Sequence, residues 1–214
     1  MSNGVRIDAR RDFVRRVLPW LLAAAMLLFY VLTLNHWVSL KNLGDVANLS
    51  GWTWTPQNSG PLFHLVTLPF RLLPAAAVPL ALNIFSALCA ALALGLLARS
   101  VGLLPHDRTE AQQVRERNDF FLLTVRGAWL PPLLAALLCG LQLTFWRTAT
   151  NGGSDMFDLL LFAFVIWSLV EFRLDGRDWR LYASAAIVGA GVAEGAVMTA
   201  FFPLFIVAII AVRG

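Results

Sequence analysis

Charge is scarce in this sequence. Charged side chains make up 14% of its 214 residues, against roughly 25% in a soluble globular chain. The deficit is uneven, with long uncharged blocks between short charged ones. That pattern excludes disordered, fibrous and nucleic-acid-binding chains and is what lipid solvation of part of the chain demands. Cysteine is also rare. Cys89 and Cys139, the only two, both lie in apolar blocks, which argues against a disulfide framework or a thiolate metal site. The three histidines, His36, His64 and His106, are far apart and lack metal-ligand spacing, so no metal is expected. No Gly-rich phosphate loop is present. Gly189, Gly191 and Gly195 fall within an apolar block, where small residues let helices approach closely. Charges buried in mid-span, which a pump or channel needs, are nearly missing.

Apolar residues make up 58% of the chain, and they come in blocks. Residues 17–37 carry no charge and span about 31 Å as a helix, close to the hydrocarbon thickness. Five arginines (Arg6, Arg10, Arg11, Arg15, Arg16) precede the block, and no small-residue cleavage site follows it, so it reads as a retained anchor. Residues 62–74 are interrupted by Pro69 and Pro74, with His64 and Arg71 at the polar edge, which predicts an interfacial segment. Further spans are expected at 78–98, 127–146 and 156–172. The stretch 181–212 is long for one helix and short for two; two short helices turning at 193–195 are favoured, with one long tilted helix the alternative.

The fold expected is therefore all-α and polytopic, with about six transmembrane helices and an interfacial helix after the first outer loop. Residues 1–16 form a cytoplasmic basic tail and 17–214 the transmembrane domain, with an outer loop at 39–61 and a cytoplasmic loop at 100–126. With the N-terminus in the cytoplasm, 14 of the 17 Lys and Arg residues face inward, as the positive-inside rule requires. Lys41, Arg71 and Arg147 stay outside. This partition explains the net charge of +4 without nucleic acid. Trp37, Trp52, Trp54 and Trp146 fall at one boundary and Trp20, Trp129 and Trp179 at the other, as an aromatic belt would; Trp167 falls in mid-span. In the inner loop, Thr109–Gln112 reads as a capping box, and Arg115 and Asp119 are spaced as an i, i+4 pair on a surface helix.

Acids on the outer side are few: Asp45, Asp155, Asp158 and Glu194. The last three sit at helix ends, where a solvated terminus is the bland reading, and Asp155 is placed to cap the fourth span. Asp45 sits beside Gly44 in the outer loop, just outside the anchor. A loop on a rigid scaffold there can present a carboxylate to a cavity at the lipid surface.

Several stretches, in order, resemble the N-terminal half of bacterial multi-pass membrane proteins of the GT-C glycosyltransferase superfamily, in the protein O-mannosyltransferase-like branch. They are Leu43-Gly44-Asp45, Gly60-Pro61-Leu62-Phe63, Ala81-Leu82-Asn83-Ile84-Phe85-Ser86-Ala87-Leu88, Phe145-Trp146-Arg147-Thr148-Ala149-Thr150, Gly189-Ala190-Gly191 and Phe201-Phe202-Pro203-Leu204. The resemblance implies transfer of a sugar from a polyprenyl-phosphate donor to a protein hydroxyl on the outer face of a bacterial inner membrane, with no further cofactor. It implies Asp45 as general base and Arg71 or Arg147 as the phosphate partner. His64, Asp155 and Glu194 complete the expected substrate-binding set. The sequence departs from the family pattern at Asn48, where relatives carry a second acid, at Pro56-Gln57-Asn58 and at Ala193-Glu194. Relatives are also longer, which leaves two expectations: the catalytic N-terminal half of an enzyme, or a non-catalytic membrane subunit that packs against neighbouring subunits. The partners expected are membrane lipids, the donor, and a protein acceptor or such subunits.

Overall fold

The computed structural model describes residues 13–52, 60–104 and 129–213. Among them are nine α-helices and no strand, so the all-α expectation holds. A π-helical turn, Phe13–Val17, leads into α1 (Leu18–Leu32), followed by α2 (Leu43–Leu49) and α3 (Pro61–Thr67) with a 3-10 turn at Leu68–Leu72. Then come α4 (Val78–Leu103), α5 (Leu130–Gly140), α6 (Leu143–Thr150), α7 (Asp155–Asp175), α8 (Asp178–Glu194) and α9 (Ala196–Arg213). The expected capping box at 109–112 and the Arg115–Asp119 pair lie outside the described residues.

The central helix is α4. It packs along α7 and α1 and touches α5 and α6, while α8 packs on α7 and α9 on α8. Its sequence, rich in Ala and Leu with Gly95 and Gly102, suits a helix surrounded by others. Leu82, Ala87, Ala90, Leu94 and Leu103 are wholly buried. The aromatic part of the core is a cluster of Phe63, Phe85 and Phe157, with ring centroids 6.0–6.1 Å apart.

Two expected spans are cut short. The first ends at Leu32 rather than reaching residue 37. The Thr33 hydroxyl turns back to the Phe29 carbonyl (2.9 Å), and the Asn35 amide bonds the Thr150 carbonyl (3.3 Å), so the chain leaves its helix to join the end of α6. The third is two helices, α5 and α6, bent by 68° at their junction. There the buried Tyr30 hydroxyl donates to the Gly140 carbonyl (2.8 Å), which needs close approach. A Cβ on Gly140 would lie 2.6 Å from Met26 and 2.7 Å from Leu94.

Two further expectations stand, the broken segment at 62–74 and the division of 181–212. The Pro-punctuated segment is the short α3 and its 3-10 turn, with Pro61 and Pro69 at the starts where a missing N–H costs nothing. The stretch after 181 is two helices broken at Gly195, which is extended (φ −172°). Gly191 does let α8 and α9 approach, against Met198, but Gly189 faces open space. By length and composition, Val78–Leu103 can cross a membrane, and the bent pair is a second crossing if taken as one span.

Candidate functional site

The bundle has two ends with ionisable groups, one around Asp45 and one around Glu171, at opposite ends of α7. At the first, a chain of buried amides fixes the segment after α1. Asn42, fully buried, accepts from the Ser39 amide (2.8 Å) and donates through Nδ2 to Asn83 Oδ1 (3.0 Å). Asn83, also fully buried, donates to the Asn35 carbonyl (2.6 Å), and Asn35 donates to Asn151 Oδ1 (2.9 Å). Each such bond contributes about 1 kcal/mol net, and far more is lost if one partner is left buried alone. Val46 and Leu49 are buried in the same core as Phe63.

With those faces of α2 committed, Asp45 points elsewhere. It is not in a loop, as expected, but in the first turn of α2, because Asn42 and the apolar positions 46 and 49 nucleate a short helix against α4. Asp45 is half-buried and makes no hydrogen bond or ion pair among the described residues. It lines a cavity of about 20 Å³ with Asn48, Leu49, Gly60, Phe63, His64 and Thr67, enough for about one water-sized group. Burial, then the charge of Asp155, pushes the Asp45 carboxyl above the usual carboxylate range, while His64 pulls it back. So Asp45, His64 and Asp155 are electrostatic neighbours, as a shared site requires.

An open cleft of about 590 Å³ lies between the start of this segment and α6. It is lined by Ser39, Leu40, Lys41, Thr144, Arg147, Thr148 and Asn151. Lys41 Nζ sits 2.7 Å from Asp155 Oδ2 and 3.4 Å from Thr148 Oγ1. Two cations, Lys41 and Arg147, around one cleft suit an anion. Arg147 is exposed here. Arg71 lines neither cavity; its Nη2 donates to the Asn48 carbonyl at 3.3 Å and closes the end of α2.

Two other acids take structural posts. Glu194 is not a solvated terminus: it is 5% exposed and accepts from the Leu62 amide (2.6 Å) and the Phe63 amide (3.0 Å). It caps α3 from a remote helix, satisfying donors that a helix start leaves open. Gly60 makes room for it, since a Cβ there would lie 2.8 Å from Glu194 Oε1 and φ is +77°. Glu194 thereby holds the helix that carries His64 and is committed to the backbone rather than to substrate. Asp155 does not cap α7; Ser154 occupies that position, and Asp155 pairs with Lys41 instead. Asp158 leaves one carboxylate oxygen buried without a partner among the described residues. Among the described residues no group of three or more His, Cys, Asp or Glu is placed to hold a metal ion.

Sequence reasoning missed Lys41 as a binding residue and the Asn42–Asn83 pair as the clamp beneath Asp45. Uncharged amides in or beside apolar runs were the available signal for the clamp. For Lys41 there was none, because its cleft is built with residues a hundred positions away.

Residues 57–213 match the family described as Protein O-mannosyl-transferase TMEM260 N-terminal domain, and the chain belongs to that family. The matched stretch includes His64, Arg71, Arg147, Asp155 and Glu194 and begins after Lys41 and Asp45. No curated protein and no solved structure matches the chain.

Proposed function

We propose that this chain is the donor-binding, catalytic part of a GT-C-type inverting glycosyltransferase. It moves a sugar from a polyprenyl-phosphate donor to a Ser or Thr hydroxyl of a protein on the outer face of a bacterial inner membrane. The observation that carries this reading is Asp45, a half-buried carboxylate without a partner among the described residues, in a small cavity beside His64. The cation-lined cleft of Lys41 and Arg147 opens on the same end of the bundle.

The acceptor oxygen attacks the anomeric carbon as the bond from that carbon to the phosphate oxygen breaks. The hydroxyl proton passes to Asp45, and polyprenyl phosphate leaves with the electron pair. A hydroxyl is a poor nucleophile and gains from a carboxylate within reach; a base whose affinity for protons is raised is a stronger one. Lys41 and Arg147 meet the charge that develops on the leaving phosphate, in a cleft also lined by Thr144, Thr148 and Asn151.

The surface supports a lipid setting. Leu28, Leu32, Leu138, Leu143, Leu204, Val207 and Ile210 are all more than 60% exposed, on α1, α5, α6 and α9, an apolar girdle that water would penalise. The six-span arrangement with a cytoplasmic N-terminus rests on this girdle together with the arginine partition. The test is transfer of mannose from polyprenyl-phosphate mannose to a Ser/Thr peptide by the purified chain and by Asp45→Asn. Unchanged turnover in the variant would remove Asp45 from the mechanism. A chain that purifies only with stoichiometric membrane partners and transfers nothing would favour the non-catalytic subunit.

A further inference from the structure

At the opposite end of α7 lies an open cleft of about 570 Å³, lined by Arg16, Trp20, Arg99, Glu171, Asp175 and Arg180. It is assembled from the turn before α1, from α1 itself, and from the facing ends of α4, α7 and α8. Glu171, 1% exposed, is fully engaged. Its Oε1 accepts from Arg99 Nε (3.1 Å) and Nη2 (2.7 Å), and its Oε2 accepts from Arg180. A second guanidinium nitrogen of Arg180 pairs with Asp175 at 3.1 Å. The two guanidinium groups also lie over the Trp167 ring, at 5.2 and 5.9 Å from its centroid, so their planes are held in place.

What these bonds leave over is positive. Three arginines face two carboxylates around the cleft, and Arg16 is exposed with no hydrogen bond or ion pair among the described residues. Arg180 is 8% exposed and its Nε–H is sealed from solvent, so the exposed cation of the cleft is Arg16. Half-exposed Trp20 stands at the rim, where an indole marks the boundary of a membrane.

We propose that this cleft binds a phosphate group, supplied by the headgroup of an anionic phospholipid or by free phosphate. Tetrahedral phosphate offers only acceptor oxygens, which matches a lining whose spare groups are only donors. Basic pockets between helix ends on the cytoplasmic side are suited to such headgroups. The proposal rests on the membrane reading of the bundle but not on sugar transfer, and its readout is independent of Asp45.

The test uses the full chain reconstituted in vesicles of phosphatidylcholine and, separately, of phosphatidylcholine with phosphatidylglycerol. Association of spin-labelled phosphatidylglycerol is compared with that of spin-labelled phosphatidylcholine. A preference for the anionic lipid is expected, and Arg16→Gln, which leaves the Glu171 bonds intact, reduces it by about fivefold. Displacement of the labelled lipid by inorganic phosphate identifies free phosphate as a ligand of the same site. Persistence of the label in its presence assigns the site to the lipid headgroup. Equal association of the two lipids with the wild-type chain, or an undiminished preference in Arg16→Gln, overturns the proposal.

Discussion

The two ends of the bundle treat their central acid in opposite ways. Glu171 receives three guanidinium hydrogen bonds and is sealed from solvent. Asp45 receives none among the described residues and faces a cavity. The Glu171 end ties α4, α7 and α8 together; the Asp45 end is held in place by neutral amides, which leaves its charges available. A carboxylate that is meant to take a proton cannot also be the knot of an ion-pair network. Function at the Asp45 end thus depends on Asn42 and Asn83 carrying the structural task.

The comparison predicts its sharpest contrast in stability. Glu171→Gln leaves Arg99 and Arg180 without their common anion in a buried setting. Breaking such a pair costs about 3–5 kcal/mol, so thermal denaturation in detergent should fall steeply. Lys41→Met removes an ion pair whose side chains are 56% and 59% exposed, and should cost at most about 1 kcal/mol. Equal losses at the two ends would erase the distinction.

Asp45→Asn comes next and should act on rate while leaving the fold intact. Loss of a general base lowers turnover by roughly 10²–10⁴-fold. Because the folded state raises this carboxyl's affinity for protons, folding favours its protonated form. The wild type then loses stability as pH rises through that raised value, while Asn does not. The variant should be the more stable at neutral pH and equal to the wild type in acid, as seen by denaturation across pH. A variant that is both inactive and less stable at neutral pH would make Asp45 structural.

Glu194→Ala tests the link between the scaffold and His64. It removes the acceptor of the Leu62 and Phe63 amides, at about 1–3 kcal/mol for the buried donors left behind. Melting should fall by less than for Glu171→Gln. If Glu194 bound donor instead, KM would rise with stability unchanged.

Much of the scaffold was legible in the sequence because apolar block length and proline position are local signals. They give α4, the short α3 with its 3-10 turn, and the break at Gly195. The shortening of α1 and the bend between α5 and α6 were not legible. They depend on Asn35 meeting Thr150 and on Tyr30 meeting Gly140, contacts between residues more than a hundred positions apart. The same holds for the site. Asp45 stood out as an acid in an outer segment, but whether an acid is free or engaged is decided by tertiary partners. Asp45 and Glu194 look alike as isolated acids, yet one lacks a partner among the described residues and the other caps a helix.

The smallest effect expected is at Asp155, and it tests whether the two halves of the Asp45 end communicate. Asp155 pairs with Lys41, and its negative charge helps to raise the Asp45 carboxyl. In Asp155→Asn that charge is gone and Lys41 loses its anion, so both changes favour the ionised form of Asp45. Its affinity for protons falls, and the base stays ionised to lower pH. The acid limb of the transfer rate should therefore move downward in pH, while turnover at the plateau and the melting temperature change little. A limb that stays in place would separate Asp45 from the Lys41–Arg147 cleft electrostatically. A limb that moves upward would mean that Lys41, once released, turns away and that the burial of Asp45 deepens.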